Sequence, residues 1–126
     1  MKKVEFEDNI SNLKVCGCTD KGMVRPHNED FYGYFVPEDE AMREKWGSLF
    51  VISDGVGGNQ AGEVASAEAV NVLLQEYYFG FHPEKVSDRL KSSLDKVTIH
   101  VYDLSVSNPI CSNMMCTLTA LNIRGD

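Results

Sequence analysis

The chain has 126 residues, a formal net charge of −7, and 43% hydrophobic and 25% charged residues. This composition excludes a disordered chain and fits one globular domain or part of one. The 12 basic residues are scattered, which argues against a nucleic-acid partner, whereas the acidic excess suits a cation site. No apolar run approaches the roughly 18 residues of a membrane span, and Met1 to Asp8 lacks a signal-peptide core, so the expected location is the cytoplasm with no membrane partner.

In chain order, the first dozen residues read as polar and frayed. Leu13 to Thr19 alternates like a strand, and Asp20-Lys21-Gly22 is the turn that ends it. Cys16 and Cys18 lie two apart on that strand and share a face, from which they could approach Cys116 on a neighbouring strand. The four cysteines have no paired C-x-x-C spacing, and the default reading is small thiols filling a core. Met23 to Asp30 places one cation, Arg25, shortly before two adjacent carboxylates, Glu29 and Asp30. Pro26 keeps this piece from being helical. An aromatic strand, Phe31 to Val36, follows, and the charged stretch 37–48 reads as a solvated connector or hairpin tip.

Leu49-Phe50-Val51-Ile52 is apolar and branched, the pattern of a buried strand, and stops at Ser53-Asp54-Gly55-Val56-Gly57-Gly58. Asp54 is therefore expected at a strand end, where glycines let the backbone turn and a ligand approach. Ala61 to Tyr78 carries apolar residues at three- and four-residue spacings, predicting a largely buried helix against the sheet. Pro83 suits the first position of a second, amphipathic helix running to about residue 104. Residues 105–113 are loop by composition, and Met114 to Ile123 is the last strand, with a turn beginning at Arg124-Gly125-Asp126. The glycine turn lacks both the Walker lysine and the G-x-G-x-x-G spacing of nucleotide sites.

Two stretches together carry a resemblance. Cys18-Thr19-Asp20-Lys21-Gly22-Met23-Val24-Arg25-Pro26-His27-Asn28-Glu29-Asp30, followed by Val51-Ile52-Ser53-Asp54-Gly55-Val56-Gly57-Gly58 and Ala61-Gly62-Glu63-Val64-Ala65-Ser66, resembles the metal-dependent protein phosphatases of the PPM, or 2C, type. Similarity to bacterial members is closest, and Leu118 to Leu121 with Arg124 to Asp126 extends it to the following strand and turn. The resemblance implies an α+β fold, the N-terminal part of a four-layer α-β-β-α sandwich with antiparallel sheets. It also implies two manganese or magnesium ions and hydrolysis of phosphoserine and phosphothreonine in proteins by metal-activated water. Asp54 is then the residue bridging both metals, Gly55 offers its backbone carbonyl, and Glu29 supports the second metal directly or through water. Asp30 orients metal-held water, and Arg25 clamps the phosphate, its planar fork matching two phosphate oxygens.

Three features depart from the family pattern. Its further metal-binding aspartates lie beyond the length of this chain, so residues 1–126 are expected to form the N-terminal portion of the domain with its continuation missing, and the exposed last strand invites self-association. Met115-Cys116-Thr117 stands where Gly-Thr-Thr is usual, so local packing must differ. Val56 takes the place of a histidine proposed as general acid in some members, while His27, His82 and His100 read as structural or exposed. An inactive phosphatase-like binding or regulatory module is the alternative to an enzyme.

Overall fold

The computed structural model describes residues 6–10, 13–24, 27–57 and 61–125. Its frame is an antiparallel sheet with two long helices on one face. Strand β3 (Asp30–Phe35) pairs with the central strand β4 (Ser48–Val56), whose other edge carries β5 (Met115–Cys116) and β6 (Thr119–Ile123). Helices α2 (Ala61–Phe79) and α3 (Val86–Ser107) pack on each other, and α2 lies directly on β3 and β4. The antiparallel α+β reading holds.

The residues on β4 alternate between two environments. Leu49, Val51 and Ser53 are buried, and Leu49 and Val51 meet Val70, Leu73 and Tyr77 of α2 in the main core. Their neighbours Ile52, Asp54 and Val56 are exposed on the opposite face, as a period of two requires. That face also carries Leu121, opposite Phe50, and Tyr34, whose ring stacks on Phe50 with 6.0 Å between centroids. Helix α2 buries several sides at once, including Ala65, Ala69 and Ser66, because it is enclosed by the sheet, α3 and the short 3-10 turn Pro109–Cys111.

Two adjacent tyrosines fasten the end of α2 to the start of β4. Tyr77 donates its hydroxyl hydrogen to Trp46 O (2.6 Å), and Tyr78 donates to Gly47 O (2.8 Å). Both phenols are shifted above their ordinary pKa, chiefly because burial disfavours the phenolate. Arg89, 3% exposed, reaches from α3 under the same end. Its guanidinium lies 3.9 Å from the Trp46 ring centroid, donates through Nε to Tyr77 O and through a terminal nitrogen to Tyr78 O (3.4 Å), and so satisfies carbonyls a helix end leaves open.

Several sequence expectations are corrected. Residues Phe6–Ile10 form β1, paired antiparallel with β2 (Leu13–Gly17), because a complementary strand lies two residues away. The connector 37–48 contains helix α1 (Glu40–Trp46), capped by the Asp39 side chain on Ala41 N–H (3.1 Å) and ended by Gly47 at φ 74°. Helix α3 starts at Val86, not Pro83, since the His82 and Pro83 carbonyls face Arg89 (3.4 and 3.5 Å), and it runs to Ser107, beyond the predicted end. The last strand divides into β5 and β6. Cys16 is exposed on a strand paired with β1 and Cys18 is exposed just past its end, with Cys111 alone fully buried; all four thiols are free. No helix among the described residues is long and apolar enough to cross a membrane.

Candidate active site

Asp54 does not sit at a strand end: β4 continues through it to Val56. Partners on both edges hold it there. On one side Gly55 N–H donates to Glu29 O (3.0 Å); on the other, Gly55 pairs with Cys116. The strand thus carries its glycine into a place where a side chain has no room. A Cβ on Gly55 would lie 2.6 Å from the Gly62 carbonyl carbon and 2.7 Å from Glu29 O. Close approach of β4, the Glu29 segment and the first turn of α2 is therefore what the glycines serve.

Asp30 stands directly opposite Asp54 across the β3–β4 pair, and both side chains are exposed on the same face. Carboxylates in such a position lie about 4.5–5.5 Å apart at Cβ and repel one another, an arrangement that a cation relieves. Glu29 reaches the same region from the preceding residue. Its carboxylate covers Gly62, where a Cβ would come within 2.6 Å of Oε1, while its carbonyl accepts a second hydrogen bond from the buried Ser66 hydroxyl (2.6 Å). Asn28 fixes the entry to β3, accepting from Asp30 N–H (3.1 Å) and donating to Thr19 Oγ1 (2.9 Å).

These residues border an open cleft of about 230 Å³, lined by Asp20, Lys21, His27 and Asn28 together with Glu29, Asp30 and Asp54. A second cleft of about 240 Å³ shares Asp30 and Asp54 and continues past Tyr32, Ile52 and Thr117. His27, at the rim, is 3.4 Å from Glu63 Oε1, both half exposed. The predicted phosphate clamp, Arg25, lies outside the described residues.

Asp54, Asp30 and Glu29 offer hard oxygen donors, which fit magnesium or manganese in kind. They do not complete a shell: among the described residues no group of three or more His, Cys, Asp or Glu side chains is placed to hold a metal ion. The structure thus brings Glu29, Asp30, Asp54 and Gly55 into one locality.

Sequence reasoning missed the residues behind this locality. Asn28, two positions before Asp30, had an Asx-turn signal. Ser66 and Thr117 had none, because their partners are 37 and 63 positions away.

No family model matches the chain. It is 31% identical over 105 residues to the serine/threonine phosphatase Stp of Listeria monocytogenes, across 81% of this chain and 39% of that protein. It is also 30% identical over 97 residues to a putative 2C-type protein phosphatase of Streptococcus pyogenes, across 75% and 37%. Among solved structures it resembles the Streptococcus agalactiae serine/threonine phosphatase with a TM-score of 0.66 and 29% identity, covering 83% of this chain and 41% of that one. The Mycobacterium tuberculosis phosphatase PstP gives 0.61 and 26%, with 84% and 40% covered. The chain spans about two fifths of the length of these relatives. Shared sequence and shared fold together show that it resembles the N-terminal part of bacterial PPM-type (2C-type) serine/threonine phosphatases.

Proposed function

We propose that this chain is the N-terminal portion of a metal-dependent protein serine/threonine phosphatase of the cytoplasm, acting in signalling on phosphoserine and phosphothreonine proteins. The observation that carries the reading is the cross-strand placement of Asp30 against Asp54, with Glu29 fixed beside them through Gly55 and Ser66. Two manganese or magnesium ions, when bound, supply an activated water and neutralise phosphate oxygens. Asp54 through its carboxylate, Gly55 through its backbone carbonyl, and Glu29 directly or through water would hold those ions. Asp30 would orient water held there by accepting its hydrogen bond, and Arg25 would hold the phosphate with its planar fork. No cysteine or serine is needed as nucleophile. The remaining ligands come from residues outside 1–126, and the outer edge of β6 is a surface for self-association.

The test is hydrolysis of a phosphothreonine peptide by the protein that carries this chain, with and without added manganese or magnesium. Activity is expected only with metal, and Asp54→Asn should lower it by at least about a hundredfold, the scale of losing one preorganised electrostatic element. Arg25→Ala should mainly raise KM, since a phosphate clamp acts in the ground state too. Metal-independent turnover, or full activity in Asp54→Asn, refutes the assignment. The incomplete donor set favours one second reading, a phosphatase-like binding module. A protein inert with either metal that still binds a phosphopeptide through Arg25 decides for it.

A further inference from the structure

The β4 ladder has one irregular rung, and it falls at Asp54. Ile52 pairs with Thr119 and Gly55 with Cys116, so the register between β4 and the β5–β6 lane is the same on both sides of the gap and places Thr117 opposite Asp54. A regular antiparallel pair here would exchange two backbone hydrogen bonds. One of them is made: Thr117 N–H donates to Asp54 O at 2.8 Å. The other is not made by the Thr117 carbonyl. Asp54 N–H donates instead to the Thr117 hydroxyl (3.1 Å), and the carbonyl has turned to accept from the Ser53 hydroxyl (2.5 Å). Both backbone polar groups of Asp54 are therefore held by one residue, one of them through a side chain.

Resting on the phosphatase reading above, we infer that Thr117 is a positioning residue for Asp54: its hydroxyl and N–H together set the backbone, and hence the aim, of the bridging carboxylate. A side-chain acceptor can sit where the Thr117 carbonyl would not. It lets the two strands keep register while the Asp54 peptide tilts toward the exposed face that carries Asp30. Ser53, 4% exposed, completes the device by satisfying the displaced carbonyl, which would otherwise be an orphaned acceptor. Thr117 also borders the cleft shared by Asp30 and Asp54, so its hydroxyl lies beside the region the metals would occupy without being one of the proposed ligands.

The experiment uses the protein that carries this chain and its Thr117→Val and Thr117→Ser variants. Two measurements are made: amide hydrogen exchange at Asp54, and titration with Mn²⁺ followed by paramagnetic broadening of backbone amide signals. Valine keeps the shape and removes the acceptor; serine keeps the acceptor. In Thr117→Val, exchange at Asp54 should quicken and the Mn²⁺ concentration for half-broadening near Asp54 should rise, each about fivefold to tenfold, the scale of one lost hydrogen bond. Thr117→Ser should match the parent in both. Equal Mn²⁺ titration in parent and Thr117→Val overturns the role of Thr117 alone. A parent that shows no broadening near Asp54 overturns the metal reading itself and, with it, this inference. If Thr117→Val does not fold, Ser53→Ala decides: it frees the carbonyl to retake the rung, and unchanged broadening at Asp54 overturns the proposal.

Discussion

Replacing Gly55 by alanine adds one methyl group at the tightest point of the structure. Gly55 has no positive φ, so the alanine backbone is allowed and the penalty is entirely one of space. The new Cβ would lie 2.6 Å from the Gly62 carbonyl carbon and 2.7 Å from Glu29 O, both backbone atoms that cannot rotate away. Relief requires either the first turn of α2 to lift from β4 or the Glu29 carbonyl to leave its two donors, Gly55 N–H and the Ser66 hydroxyl. Overpacking a tight site costs about 1–3 kcal/mol, and each lost hydrogen bond about 0.5–1.5 kcal/mol. The combined loss is about 2–6 kcal/mol, a drop in melting temperature of roughly 8–24 °C for a chain of this size. Thermal melting by circular dichroism measures it. Gly22→Ala is the control: nothing lies within 4 Å of its Cβ, and only the positive φ of 78° is penalised, by about 1 kcal/mol. A Gly55→Ala protein melting within about 3 °C of the parent would refute the argument from close approach.

Three further outcomes are expected. Arg89→Met keeps the stem volume but leaves the Tyr77 and Tyr78 carbonyls without their charged donor, so urea denaturation should show a loss of about 2–4 kcal/mol; a loss under 1 kcal/mol contradicts the capping role. Tyr77 and Tyr78 ionise less readily when folded, so their contribution is complete below the unfolded phenol pKa of 10.0 and lost as pH rises above it. The urea midpoint should therefore fall from about pH 10 upward, and less steeply in Tyr78→Phe; an identical slope rules out that tyrosine as a cause. His100 and Glu68 meet at 2.7 Å on half-exposed surfaces, and His100→Ala should change stability by less than about 0.5 kcal/mol.

Helix α2 was legible almost to the residue because its signal is local, apolar side chains at helical spacing from Ala61 onward. That Glu29, Asp30 and Asp54 come together was legible too, since they stand in two recognisable motifs. What the sequence hid depended on distant partners. Three glycines after Asp54 argue for a turn, yet Gly55 stays in the strand because Glu29 and Cys116 pair with it from both sides. In the stretch 37–48 the alternating charges masked a helix whose cap, Asp39, and terminator, Gly47, were both present. The partner of Cys16 was misjudged because β2 pairs with β1 and not with the strand bearing Cys116.

The intimate packing of α2 on β4 has a kinetic side. These two elements are consecutive in the chain, joined by residues 57–60, so Leu49 and Val51 find Val70 and Leu73 at the cost of a short loop closure. The β4–β6 pairing, Phe50 with Leu121 for example, waits on a segment some 70 residues away. Folding should accordingly start from the strand–helix unit, and truncating Leu73 should slow refolding, whereas truncating Leu121 should act mainly on the rate of unfolding. The part of the molecule that carries Asp54 is then also the part that forms first, before the segment bearing Thr117, between β5 and β6, arrives beside it.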